Sequence, residues 1–386
     1  MKLADRTQEI QPFFVMDILA RARQLEQQGR TIVHMEIGEP DFPSPDPVIE
    51  AGRSSLARKE THYTPALGLP ELRQKIADYY HAEFDVDINP QRIIITPGAS
   101  GALQLVLAAI VNPGDKVMLT DPGYPCNRHM VRLYEGDAIS VPVDSESLFQ
   151  LTPDLVNQYW DDSMIAAMIA SPSNPTGTRL DRNKMTALIE AVQAKQGLLI
   201  VDEIYQGLVY GVENFTALSL SDELVVINSF SKYFGMTGWR LGWMVLPDEM
   251  VDAVDRIAQN IFLAASTPAQ YAALEAFSDE SMAVMQSRRD EFAERKNYLL
   301  PALTQIGFKI AAEPQGAFYI YADCSAFTDD SFQLANQLLE NAGVAVTPGK
   351  DFGENNVTQY LRFAYTQPVD VLQQGVERIK KYLNKK

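Results

Sequence analysis

Val225-Val226-Ile227-Asn228-Ser229-Phe230-Ser231-Lys232 is the stretch on which the reading of this chain turns. An apolar, partly β-branched run passes directly into hydroxyls and one lysine, and Gly235, Gly238, Arg240 and Gly242 follow. The run is continuous rather than alternating, which is the pattern of a strand covered on both faces by helices. A lysine at the carboxyl end of such a strand is costly to bury unless the site uses it. Desolvated near other cations, it loses its proton more readily and becomes a nucleophile able to form a Schiff base. Ser-x-x-Lys alone is a weak signal, because a solvated loop lysine has the same spelling.

Working outward, similar short runs occur at 92–96, 116–120, 165–170, 198–202, 224–229 and 241–246. Amphipathic stretches at 99–111, 181–195 and 248–262 lie between them. In the first, Leu103, Val106, Leu107 and Ile110 share one helical face. This alternation predicts α/β construction, with parallel strands joined by helical crossovers. The ends read differently. A helical piece at 15–28 precedes a Gly/Pro-rich loop, and a charged helix at 279–305 precedes short strands near 317–321, 344–347 and 360–364 and a terminal helix. The expected parse is a large α/β domain at 46–275 and a smaller α+β domain built from 1–45 and 276–386.

Composition narrows the function. With 386 residues, 46% hydrophobic and 22% charged, the chain suits a folded protein and excludes wholesale disorder. Against 50 acidic residues stand 33 Lys and Arg, giving −17, a field that repels nucleic acid and anionic membrane. Neither is expected as a partner, and an anionic ligand needs a local cluster of cations and backbone amides. Cys126 and Cys324 form no disulfide framework and match no zinc spacing. With an amino terminus lacking an apolar signal core and no apolar run near 18 residues, a reducing, cytoplasmic setting is expected. Histidines 34, 62, 81 and 129 include no i, i+4 pair, so no metal site is expected.

Three further motifs stand at predicted strand ends. Leu198-Leu199-Ile200-Val201-Asp202-Glu203-Ile204-Tyr205 puts a carboxylate at the edge where open α/β sheets bind ligands. A magnesium-holding aspartate or a helix cap is the alternative, although no phosphate loop of the GxxxxGK[ST] type accompanies it. Thr96-Pro97-Gly98-Ala99-Ser100-Gly101 joins a strand to an apolar helix, so small residues and free amides face any anion there. It lacks the GxGxxG spacing of a dinucleotide site, and a plain glycine turn competes with the phosphate reading. Ser171-Pro172-Ser173-Asn174-Pro175-Thr176-Gly177 locks one asparagine amide between two prolines. Together the four motifs supply a phosphate cradle, an amide, a carboxylate and a lysine. That set matches the needs of pyridoxal 5′-phosphate: an imine-forming lysine, an acid beside the ring nitrogen, and an anion site.

On these motifs the sequence resembles the class I/II aminotransferases, which are fold-type-I pyridoxal-phosphate enzymes, from Ile37-Gly38-Glu39-Pro40-Asp41-Phe42 to Arg362. The resemblance implies a mostly parallel seven-stranded sheet flanked by helices, with a small α+β domain beside it. It implies that Lys232 carries the cofactor and later the proton, that Asp202 pairs with the ring nitrogen, and that Tyr205 and Asn174 pair with the phenolic oxygen. Tyr124, in Asp121-Pro122-Gly123-Tyr124-Pro125, matches the aromatic stacked on the ring, while Ala99, Ser100, Ser229 and Arg240 match the phosphate cup. Arg362 resembles the arginine that grips the substrate carboxylate, although a strand-edge surface charge would read alike. Gly38 is expected against the substrate. Tyr63, in Thr61-His62-Tyr63-Thr64-Pro65, matches a tyrosine reaching the neighbouring subunit's phosphate, which implies a homodimer with shared sites; core packing is its bland alternative. Two dicarboxylate-binding features of the family are missing: Phe262 stands near the place of one cation and Ser100 at that of another.

The implied reaction transfers an amino group from an L-amino acid to a 2-oxo acid, with 2-oxoglutarate or pyruvate as acceptor, in two half-reactions. Phe13, Phe14 and Tyr63 are expected to supply an apolar side-chain wall. A C–S or β-lyase on the same scaffold is the alternative. A cofactor-sensing regulator is the distant one, since only about 30 residues precede the Gly38 motif, too few for a DNA-binding domain.

Overall fold

Short runs rich in Ile, Val and Met form eleven strands among the described residues. They are β1 (Val33–Met35), β2 (Ile93–Thr96), β3 (Lys116–Asp121), β4 (Asp137–Pro142), β5 (Met164–Ala170) and β6 (Leu198–Asp202), then β7 (Val225–Ser229), β8 (Gly242–Val245), β9 (Tyr319–Asp323), β10 (Val344–Pro348) and β11 (Tyr360–Ala364). The structure is a computed structural model and describes residues 1–385. Seven strands make one sheet in the order β2-β8-β7-β6-β5-β3-β4, and β1-β10-β11-β9 make a second.

Side chains along the central strands are buried on both faces and turn alternately to two cores. Ile94, Val117, Ile200 and Val225 join a core under the helices Gly98–Ile110 and Asp248–Ile261. Ile93, Ile95, Val201 and Val226 turn to the opposite core. Both faces are therefore dry, which is why these strands read as unbroken apolar runs. The expectation of parallel strands holds for β3, β4, β5, β6 and β7. It fails for β8, which runs antiparallel to both β2 and β7. Two-sided burial gives the same spelling in either direction, so the reversal leaves no trace in the pattern.

Two strands were not expected from the pattern. β4 is an edge strand, half exposed and carrying Asp137 and Pro142, features that keep edges from pairing further. β1 is only three residues long, yet it pairs in parallel with β10 and so brings the chain's beginning and end into one sheet. The strand expected near 317 begins at Tyr319, because Ala317 takes a positive φ of 57° and ladder pairing starts with Tyr319 opposite Ala364.

Candidate active site

The carboxyl ends of β2, β3, β5, β6 and β7 share one edge of the large sheet, and the segment after each of them reaches one cavity of about 340 Å³. Ala99, Ser100, Tyr124, Asn174, Asp202, Tyr205, Ser229, Lys232 and Arg240 all line it. Gly38 and Arg362 reach the same cavity from the small-sheet side.

Lys232 leaves the end of β7, and its Nζ donates to the Gly38 carbonyl at 2.5 Å. Burial pushes its pKa down to about 8; Glu39 opposes this, while the Arg362 and Arg240 charges add to the fall. Asp202, at the end of β6, moves the other way. Burial raises its pKa to about 7, against the Ile204 amide at 3.1 Å and the Lys232 charge, which both favour the anion. An amine and a carboxyl group brought this close to neutrality in one cavity are equipped to hold and exchange protons near pH 7.

The helix Gly98–Ile110 begins in the cavity with no side chain capping its first turn. Its leading amides are thus available to an anion, and the helix dipole favours one. Gly98 adopts φ 71°, and a Cβ there would lie 2.8 Å from the Arg240 guanidinium, so glycine lets backbone and cation close on the same space. Arg240 itself donates to Ser231 Oγ at 3.4 Å and to the Thr237 carbonyl at 3.0 Å.

Arg362 is buried, which removes the reading of a surface charge. It donates to Asn174 Oδ1 at 2.8 Å, to Thr347 Oγ1 at 3.1 Å and to the Glu36 carbonyl. Its Nε finds no partner among the described residues. A desolvated guanidinium held only by neutral acceptors is a strong site for a carboxylate. Its plane lies over Tyr319, 4.3 Å from the ring centre, and over Phe352 at 4.9 Å.

Several lining groups were not read from the sequence. Tyr319 shares a 2.8 Å hydrogen bond with the Tyr205 hydroxyl. Asp351 accepts from the Phe14 and Val15 amides at 2.7 and 2.9 Å and so caps the helix Phe14–Gln27. That helix start carries Val15 and Met16 into the cavity wall beside Phe13, which was expected there and stacks on Tyr124 at 6.4 Å. Glu36 also lines the cavity and bonds His34 at 2.7 Å. None of these contacts is local in sequence apart from the last.

Two expected wall residues lie elsewhere. Phe14 turns away and packs edge-on against Phe332 at 5.3 Å, since consecutive residues at a helix start face different ways. Tyr63 is 82% exposed, which excludes core packing, and it borders a surface groove with Leu263 instead of the cavity.

Residues 30–379 match the family described as aminotransferase class I and II. The chain is 37% identical to the (5-formylfuran-3-yl)methyl phosphate transaminase of Methanocaldococcus jannaschii, over 99% of this chain and 100% of that protein. It is 34% identical to the valine–pyruvate aminotransferase of Mycobacterium tuberculosis, over 97% of each. Among solved structures it is similar to an aminotransferase from Mycobacterium tuberculosis, with a TM-score of 0.97, 34% identity and 100% of both chains covered. It also resembles the aspartate aminotransferase of Thermus thermophilus with maleate, with a TM-score of 0.93, 33% identity and 99% of both chains covered.

Proposed function

The chain belongs to the class I and II aminotransferases and is an aminotransferase, and from that premise we propose that it moves the amino group of an L-amino acid to 2-oxoglutarate or pyruvate. The observation that carries the reading is Lys232, a desolvated amine with a pKa lowered to about 8, sharing one cavity with Asp202 and Arg362.

The family uses pyridoxal 5′-phosphate, and the residues here fit that group on their own chemistry. An amine with a pKa lowered to about 8, a carboxyl group with a pKa near 7, an uncapped helix start and the Arg240 cation converge on one space. Lys232 would hold the cofactor through Nζ, and Asp202 would face its ring nitrogen. Tyr205 and Asn174 would face the phenolic oxygen, and Tyr124 the ring. Ala99, Ser100, Ser229, Arg240 and the partner subunit's Tyr63 would surround the phosphate. When bound, the group supplies an imine-forming aldehyde and a ring that accepts the electron pair left at the substrate's Cα.

The protein's own share is positional and protonic. Arg362 takes the substrate carboxylate in paired N–H···O bonds, with Asn174 steadying the guanidinium. Held by that end, the substrate presents its Cα–H bond to Lys232 Nζ in preference to the bond to its carboxylate, which favours amino transfer over decarboxylation. Lys232 Nζ would remove this proton and deliver it to the carbon of the cofactor's aldehyde, since an amine with a pKa of about 8 is neutral in a useful fraction at pH 7. In its anionic form Asp202 would stabilise positive charge on the ring nitrogen facing it.

A homodimer with shared sites is part of the reading. It is supported by the exposed Tyr63 and Leu263 on one groove. The division into 46–275 and 1–45 with 276–386 is proposed on the two sheets. No helix among the described residues is long and apolar enough to cross a membrane. The deciding assay incubates the loaded enzyme with a panel of L-amino acids, with and without a 2-oxo acid. Sustained turnover that needs the acceptor is expected; pyruvate and ammonia released without it would instead make the protein a lyase.

A further inference from the structure

Tyr319 stands where three parts of the site meet. It opens β9, opposite Ala364 and two residues from Arg362 on β11. It is 1% exposed, and it lines the cavity. Its hydroxyl is 2.8 Å from that of Tyr205, and the two rings meet edge-on at 81°. Its ring face carries the Arg362 guanidinium at 4.3 Å. Gly38 presses on the same hydroxyl: a Cβ at that position would lie 1.8 Å from the Tyr319 oxygen, so the loop that accepts from Lys232 closes over this phenol only as glycine.

We propose that Tyr319 is a positioning residue for amino transfer: its hydroxyl donates to the Tyr205 oxygen, making Tyr205 the stronger donor to the cofactor's phenolic oxygen, while its ring face holds Arg362 in register for the substrate carboxylate. The proposal rests on the cofactor reading given above.

Either hydroxyl can donate in this bond, and the direction from Tyr319 to Tyr205 is part of the proposal. Burial raises the pKa of both phenols, so each keeps its proton at neutral pH. Both tyrosines line the cavity and neither hydroxyl has a second hydrogen-bond partner among the described residues, but Gly38 lies against the hydroxyl of Tyr319. Donation from Tyr319 to Tyr205 would pair the proton that Gly38 covers and leave the Tyr205 proton for an acceptor in the cavity. A phenol that accepts one hydrogen bond donates the next more strongly. The ring contributes separately, because a guanidinium over an aromatic face gains most where water is excluded. One side chain thus joins the group that tunes the cofactor to the group that binds the substrate, through two different parts of itself.

That separation makes the proposal testable with two substitutions. The wild type, Tyr205→Phe, Tyr319→Phe and Tyr319→Leu are loaded with pyridoxal 5′-phosphate, and their visible absorbance is titrated against pH. Binding of 4-methylpentanoate, an unreactive carboxylate, is measured on each by calorimetry. Losing a donor chain to the phenolic oxygen favours the protonated chromophore, so Tyr319→Phe should raise the titration midpoint by about 0.5 to 1 unit, and Tyr205→Phe by more. Tyr319→Phe keeps the ring and should bind the carboxylate within about twofold of wild type, whereas Tyr319→Leu should bind it roughly tenfold more weakly. A midpoint that moves in Tyr205→Phe but not in Tyr319→Phe overturns the hydroxyl chain and leaves the cofactor reading standing. Undiminished carboxylate binding by Tyr319→Leu overturns the role of the ring. No visible band on loading overturns the cofactor reading and this proposal with it, and a band that does not respond to Tyr205→Phe overturns the role of Tyr205 and the hydroxyl chain.

Discussion

In the proposed reaction Lys232 and Arg362 concentrate the chemistry at the scale of single residues, and both are held away from water. A lysine in water titrates near 10.4, whereas burial brings Lys232 to about 8. The sign is that the reactive neutral amine is lost as pH falls through 8. Imine formation by the apoprotein should therefore rise with pH and level off above about 8, followed by stopped-flow absorbance; a rate still climbing at pH 10 would mean an ordinary lysine. Arg362→Lys keeps the charge and loses the fork that meets a carboxylate with two bonds, so kcat/KM should drop roughly 10²-fold, measured with the preferred donor. That Lys232, Asp202 and Asn174 share one cavity was legible in the sequence because each stands at, or a few residues beyond, the end of an apolar strand. Tyr319 was not: its partner Tyr205 is 114 positions away, and a tyrosine in an apolar strand is spelled like core.

At the scale of elements, the sequence shows where apolar runs lie and is silent on which way they run and what caps them. β8 reads like its parallel neighbours and is antiparallel. The helix Phe14–Gln27 has no capping side chain at its own N-cap, Phe13. Its cap is Asp351, 337 positions later, a pairing that only the folded chain creates. The consequence is functional, since this helix start brings Phe13, Val15 and Met16 to the cavity. Asp351→Asn has one carbonyl oxygen where the carboxylate used two. It should lower stability by about 1 kcal/mol in urea unfolding and raise KM by loosening the wall. A KM equal to wild type would separate the cap from the site.

At the scale of the whole molecule, a chain of net charge −17 gathers Lys232, Arg240 and Arg362 around one cavity. The general field repels anions, so this local cluster makes an anionic substrate and cofactor acceptable. The proposed dimer belongs to the same scale. If the partner subunit's Tyr63 completes each site, mixing Lys232→Ala with Tyr63→Ala subunits should rebuild one sound site per mixed dimer. About a quarter of wild-type activity should then appear after subunit exchange; no gain over the separate variants would mean unshared sites. Two-sheet architecture was legible from the change of pattern near the ends, but the joining of both ends through β1 was not, because three residues carry too little pattern.

Reductive trapping tests the central assignment most directly. The protein is loaded with pyridoxal 5′-phosphate, reduced with borohydride, digested and sequenced by mass spectrometry, with Lys232→Ala as control. The label should fall on Lys232 alone and be absent from the control, whose turnover should be lower by roughly 10⁴-fold. Label on another lysine, or a Lys232→Ala protein that turns over at the wild-type rate, would contradict it.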